Sequence, residues 1–249
     1  MELLSNEGLR QDGRTTTCLR AMKCKLGLYD RPNGSAFMQM GNTQVLASVY
    51  GPKEARSVKS TTGLGECVVT CAVSRVAACS AERLRKPRDQ RTRATSNLVA
   101  GALQAAVRGS KYAGSQIDVF VQVIQADGGV TACCINAACL ALLHAGIEVN
   151  DYVTACTASA VPTAAHTSTQ TCALVDACQS ESSGGCEVTV AMLPNKQRIV
   201  ALHTCHPLHQ SQFDAVLDMA LFGCQQLYQG MHAEVQNFLK QHHAIMSHR

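Results

Sequence analysis

Between Ile117 and Ile147 the chain changes its hydrophobic period once, across two adjacent glycines, and this change constrains the fold more than any other feature. Ile117-Asp118-Val119-Phe120-Val121-Gln122-Val123-Ile124-Gln125 alternates and is rich in β-branched residues, which predicts a strand with one buried face. Asp127-Gly128-Gly129 predicts a turn, because glycine takes positive φ without a steric penalty. From Thr131 the residues Ala132, Cys133, Cys134, Ala137, Ala138, Leu140, Ala141 and Leu142 are small or apolar, which suits a tightly packed helix. Gly146 stops it. A strand that runs through a glycine turn into a buried helix aims free backbone N–H groups at whatever sits above the turn. An anion site is physically cheap there, and a plain structural turn is the alternative.

The 249 residues fit one large or two small domains. No continuous apolar run approaches the roughly 18 residues of a membrane span. Met1 to Glu7 is acidic and has no apolar centre, so it does not read as a signal peptide. Fourteen cysteines lie among alanines and valines inside the predicted strands and helices, with no pair of CxxC units. They read as small hydrophobes of a reducing compartment, not as disulfides or a zinc site. His203, His206, His209, His232, His242, His243 and His248 gather towards the C-terminus without cysteine or carboxylate at ligand spacing, so no metal is expected.

Strands are expected at about Ser35–Met40 and Thr43–Tyr50, the second ended by Gly51-Pro52. Lys53 to Thr62 reads as a polar loop with Arg56 and Lys59, and Glu66 to Val76 as a strand. Glu82 to Arg93 holds six basic residues against two acids, and Pro87 keeps it from being one helix. A helix is expected over roughly Ala94–Val107. Strands follow at Val153–Val161, Thr171–Asp176, Cys186–Leu193 and Arg198–Thr204. From Leu208 to His242, Phe213, Val216, Ala220, Cys224, Leu227, Met231, Val235 and Phe238 form a single helical stripe. No low-complexity segment or long linker divides the chain, so residues 1–249 read as a single domain.

Three sets of residues resemble one family. They are Arg10-Gln11-Asp12-Gly13-Arg14 near the start, Gly34-Ser35 with Gly41-Asn42-Thr43 and the run to Gly51-Pro52, and Ile124 to Gly129 followed by Asn136-Ala137-Ala138 and Ala145-Gly146-Ile147. Together they resemble the RNase PH family of phosphate-dependent 3′→5′ exoribonucleases and their relatives in the RNA exosome ring, over nearly the whole chain. The resemblance is greatest to the eukaryotic exosome ring branch. It implies an α+β architecture, the RNase PH and ribosomal-protein-S5-domain-2-like fold, with two βαβ-type halves of mixed sheet and packed helices. It also implies a hetero-hexameric ring of RNase PH-like subunits, caps with S1 and KH domains, and single-stranded RNA threading a channel towards a separate processive nuclease. Nucleus, nucleolus and cytoplasm are the implied locations, and no membrane association is expected. The isolated chain is not expected to be a stable monomer.

The same resemblance identifies the site residues. Active relatives follow the glycine turn with a hydroxyl residue and an arginine, whereas this chain has Gly128-Gly129-Val130-Thr131. The bidentate guanidinium that a phosphate dianion prefers is absent. Active relatives also carry two aspartates, and the positions matched here are Asp176 and Glu181. The glutamate is longer by one methylene, and small misplacements are costly in rate. The basic stretch supplies Arg88, Arg91 and Arg93, joined by Arg56 and Lys59, as candidates to grip the RNA backbone. With no tryptophan and five phenylalanines, base stacking is not the main source of affinity, and phosphate contacts are expected.

The reading preferred from the sequence is a non-catalytic exosome ring subunit that lines the channel and binds RNA during 3′→5′ processing and decay. A working phosphorolytic exoribonuclease, which alone would need phosphate and Mg²⁺, and a scaffold without RNA contact are the alternatives.

Overall fold

The computed structural model describes residues 9–55, 67–80, 90–162, 171–182 and 185–247. Its first half contains β1 (Met22–Leu26), β2 (Gly34–Met40), β3 (Thr43–Glu54), β4 (Val68–Arg75), α1 (Gln90–Ala106), β5 (Ser115–Gln125) and α2 (Val130–His144). The second contains β6 (Thr154–Pro162), β7 (Thr171–Val175), α3 (Gln179–Ser182), β8 (Cys186–Leu193), β9 (Arg198–Thr204) and α4 (Gln210–Ser247).

The first half forms a five-stranded sheet in the order β1-β2-β3-β5-β4, and the second a four-stranded sheet in the order β7-β6-β8-β9. β4 and β5 pair in parallel, which requires a crossover, and α1 supplies it. The α+β class is as expected, but the two βαβ-type halves differ. In the second half all three strand pairings are antiparallel. The four-residue α3 is too short to carry a strand back across the sheet.

Helix α2 lies at the centre of the core. Eleven of its fifteen residues are buried, from Ala132 to Leu142. A helix that is apolar all round needs protein on every side, and the first sheet, β6 and α1 provide it. Alanine and cysteine keep it thin enough to sit among them. Its one buried polar side chain, Asn136, is satisfied by a backbone partner: Nδ2 donates to Ala155 O at 2.8 Å and Oδ1 accepts from Ala155 N–H at 2.7 Å. That bridge joins the helix to β6. On the other face of the second sheet, Ala158, Ala160, Val188 and Val190 pack with Val216 and Ala220 of α4.

Two details depart from the sequence expectations. β3 does not end at Gly51-Pro52 but continues to Glu54, because the register shifts between Tyr50 and Lys53 and the proline falls in that irregularity, where no ladder donor is needed. β1 was not anticipated, although Met22-Lys23-Cys24-Lys25-Leu26 alternates half-buried and exposed. It is a short edge strand whose outward lysines lower its apolar signal.

Candidate functional site

The turn after β5 is held from within the chain. Gly128 and Gly129 have φ of 78° and 60°. Thr43, at the start of β3, accepts the Asp127 N–H at 3.1 Å and donates its hydroxyl to Gly128 O at 2.8 Å. Arg20 donates to Asp127 O at 2.5 Å and to Gly128 O at 3.3 Å. Asn42 donates to the Asp127 carboxylate at 3.0 Å. Val130 and Thr131, half-buried, begin α2 directly above.

The Asp176 and Glu181 carboxylates pair with different arginines, and each residue is 1% exposed. Asp176 follows β7 with φ of 51°, a left-handed conformation that aspartate tolerates better than most residues. Its carboxylate accepts the Arg20 backbone N–H at 3.0 Å, Arg20 Nε at 3.0 Å and Arg20 Nη2 at 2.6 Å. Burial disfavours the Arg20 cation, but the hydrogen bonds and charge of Asp176 outweigh it and raise its pKa. Glu181 Oε2 takes the Cys178 N–H at 3.0 Å and lies 3.6 Å from Arg10 Nη1 and 3.9 Å from Arg14 Nη2. Burial and the neighbouring Arg14 lower the Arg10 pKa, against the pull of Glu181.

A magnesium ion would need free carboxylate oxygens at octahedral positions. Asp176 gives both of its oxygens to Arg20, so this pair does not fit the ion. Among the described residues no group of three or more His, Cys, Asp or Glu side chains is placed to hold a metal. Arg14, Arg20, Asp12, Asp127 and Glu181 line an adjoining cleft of about 430 Å³ whose walls carry both signs of charge.

A third acid, missed by the sequence reading, lies on β8. Glu187 of β8 stands opposite Ser159 of β6. Burial pushes the Glu187 pKa up, with the Gly129 amide, His203 and Arg20 opposing. A lone acid in the otherwise β-branched run Val188-Thr189-Val190 was the available signal. Arg20, Arg10 and Arg14 were also missed as the groups that hold the two acids.

Arg91 and Arg93 are both exposed on the first turn of α1, while Thr92 and Thr95 turn into the core. Helix α1 packs on β4 and also touches β9 of the second sheet. Arg56, Lys59 and Arg88 lie outside the described residues.

Comparison with known proteins places this geometry. Residues 18–148 match the model of the 3′ exoribonuclease family, domain 1, known as RNase PH. The chain is 36% identical to the mouse (Mus musculus) exosome complex component RRP41 over 97% of its own length and 95% of the relative's. It is 34% identical to the Arabidopsis thaliana exosome complex component RRP41 homolog, over 97% of each. The crystal structure of rice (Oryza sativa) Rrp46 shares the fold, with a TM-score of 0.76 at 20% identity over 90% of this chain and 98% of that one. By the family match and by identity along almost its full length, the chain belongs to the RNase PH family.

Proposed function

We propose that the chain is a non-catalytic ring subunit of an RNA exosome, which lines the central channel and holds single-stranded RNA by its backbone during 3′→5′ processing and decay. The observation that carries this reading is the contrast between the acids and the basic helix end. Asp176 and Glu181 are buried against Arg20, Arg10 and Arg14, whereas Arg91 and Arg93 stand exposed at the start of α1. Val130-Thr131 after the glycine turn adds no guanidinium for inorganic phosphate. The relatives named as exosome components support the ring assignment.

The expected partners are other RNase PH-like subunits in a hetero-hexamer, S1 and KH caps, and a separate processive 3′→5′ nuclease. The expected location is the nucleus, with the nucleolus, and the cytoplasm. No helix among the described residues is long and apolar enough to cross a membrane.

The test is phosphorolysis by the purified complex. Single-stranded RNA, inorganic phosphate and Mg²⁺ should yield no nucleoside diphosphates attributable to this chain. Diphosphates that disappear when Glu181 or Glu187 is replaced by alanine would overturn the reading in favour of a working exoribonuclease.

A further inference from the structure

A sheet needs a second layer on each apolar face. The second sheet has one on both sides, with α2 against β6 and β8 and α4 packed opposite. In the first sheet α1 and α2 cover the side that carries Met38, Val45, Val119 and Val123. On its outer side Tyr50 of β3 and Phe120 of β5 stay 39% and 47% exposed, with their rings edge to face at 5.7 Å. These are the two inner strands of the order β1-β2-β3-β5-β4 that bond to each other, so the aromatic pair stands mid-sheet. Tyr29, Leu46, Ala72 and Phe120 line a groove of about 260 Å³ on the same side. Among the described residues, charge stands only at the margins of this face. Lys23 and Lys25, exposed on the edge strand β1, lie opposite Gln39 and Phe37 of β2. At the other end Lys53 and Asp118 form an ion pair.

We propose that this outer face seats another folded subunit of the RNase PH-like ring, whose apolar centre covers Tyr50 and Phe120 and whose acidic margin meets Lys23 and Lys25. The inference rests on the ring reading and deepens it by assigning the face. Aromatic rings at a charge-free centre with charge held to the rim are the anatomy of a protein interface. Single-stranded RNA would find only the two edge lysines for its phosphates, with Lys53 already paired to Asp118. Size selects a folded domain over a peptide. Five strands at about 4.8 Å spacing, rising about 3.3 Å per residue, give a plane of about 550 Å². With side-chain relief added, that approaches the roughly 800 Å² each partner buries in a stable complex. A single docked helix, about 10 Å wide, would leave more than half of the face in water.

The experiment is hydroxyl-radical footprinting of the assembled complex beside the isolated full-length chain. Modification of Tyr29, Tyr50 and Phe120 is expected to fall at least about fivefold on assembly, as at the buried centre of an interface. A zero-length carbodiimide cross-link, read by peptide mass spectrometry, should join Lys23 or Lys25 to an aspartate or glutamate of another RNase PH-like subunit. Tyr50→Ser/Phe120→Ser should enter the complex with an affinity lower by roughly tenfold or more. Both side chains are exposed, so the isolated variant should keep the wild-type melting temperature. If that variant fails to fold, the wild-type footprint still decides. A ring in which the three side chains are modified as freely as in the isolated chain overturns the proposal and leaves the ring reading standing. Cross-links from Lys23 and Lys25 to a cap subunit, to the nuclease or to a second copy of this chain also overturn it, as does protection of the face by RNA alone. A complex without any other RNase PH-like subunit overturns both.

Discussion

The Arg20 guanidinium grips the Asp176 carboxylate at two points, Nε to Oδ2 at 3.0 Å and Nη2 to Oδ1 at 2.6 Å. The pair joins the segment before β1 to the end of β7, across 156 residues of sequence. Arg20 uses its remaining donors on the carbonyls of Asp127 and Gly128, so one guanidinium ties both sheets to the glycine turn. Removing one member of a buried pair leaves the other charge uncompensated, at a cost of about 3–5 kcal/mol. Asp176→Ala should therefore lower unfolding stability by that amount in urea denaturation. The Arg20→Met/Asp176→Leu double variant should lose less than the sum of the two single changes. A loss in Asp176→Ala below about 1 kcal/mol would show that the pair is not structural.

Gly128 and Gly146 both have positive φ, at 78° and 71°, but their surroundings differ. A Cβ on Gly128 would lie 2.5 Å from Ala177 O, a backbone atom with little room to retreat, whereas one on Gly146 would meet nothing within 4 Å. Gly146→Ala should cost only the left-handed backbone strain, about 1–2 kcal/mol. Gly128→Ala should cost several kcal/mol, on the scale of overpacking added to that strain. Thermal melts of the two variants side by side decide it, and equal losses would mean that the Ala177 contact relaxes.

Much of the fold was legible because its signals are local. The change of period between Ile117 and Gly146 marks β5, the turn and α2, and the three-to-four spacing from Phe213 marks α4. The candidate site was less legible because its partnerships are not local. Asp176 looks like an accessible strand-end acid until Arg20 is brought to it from the other end of the chain. Glu187 lies only six residues beyond Glu181, yet it is the β6–β8 register that sets it opposite Ser159. Sequence spacing alone does not encode that juxtaposition.

The thiols should divide by position. Burial pushes Cys134 and Cys224 up to about 12 and Cys139 to about 11, and it raises Cys133 and Cys156 well above the ordinary thiol value. The exposed Cys18 goes the other way, because the Thr15 hydroxyl bonds its sulfur at 3.0 Å and Arg10 and Arg14 stand nearby. Only the thiolate alkylates readily. Brief iodoacetamide treatment near neutral pH, followed by peptide mass spectrometry, should label Cys18 first. The five buried thiols should react only after unfolding, and early labelling of Cys133 or Cys156 would contradict their packing.

Arg91 and Arg93 are exposed on one helix turn, so their loss should be tolerated by the fold. In the assembled complex, Arg91→Ala/Arg93→Ala should weaken single-stranded RNA binding for all sequences alike. It should lower the slope of log affinity against log salt by roughly one, since each single-strand phosphate contributes about 0.7. Ring assembly, read by sedimentation, should be unchanged. An unaltered slope would make the helix end a solvated surface, and a ring that no longer assembles would place it at a subunit contact.

Glu187 gives the fold a pH dependence with a definite sign. Burial raises its pKa above the ordinary 4.5, and the Gly129 amide, His203 and Arg20 counter this only in part. Folded protein therefore holds the Glu187 proton to higher pH than unfolded protein does. Such a group contributes stability that is fully present below the unfolded value and is lost as pH rises through the folded one. Asp12 and Asp118 act in the opposite sense, since Arg14 and Lys53 hold their pKa values down in spite of burial. Those effects are common to the wild type and to Glu187→Gln, so the difference in melting temperature between the two proteins isolates Glu187. Glu187→Gln is neutral at every pH and is free of the cost of burying the charge. It should melt above the wild type at pH 7, and its advantage should shrink as pH is lowered towards 4.5. A difference independent of pH would mean that the carboxyl titrates as it does in the unfolded chain, and so does not feel the burial that raises it.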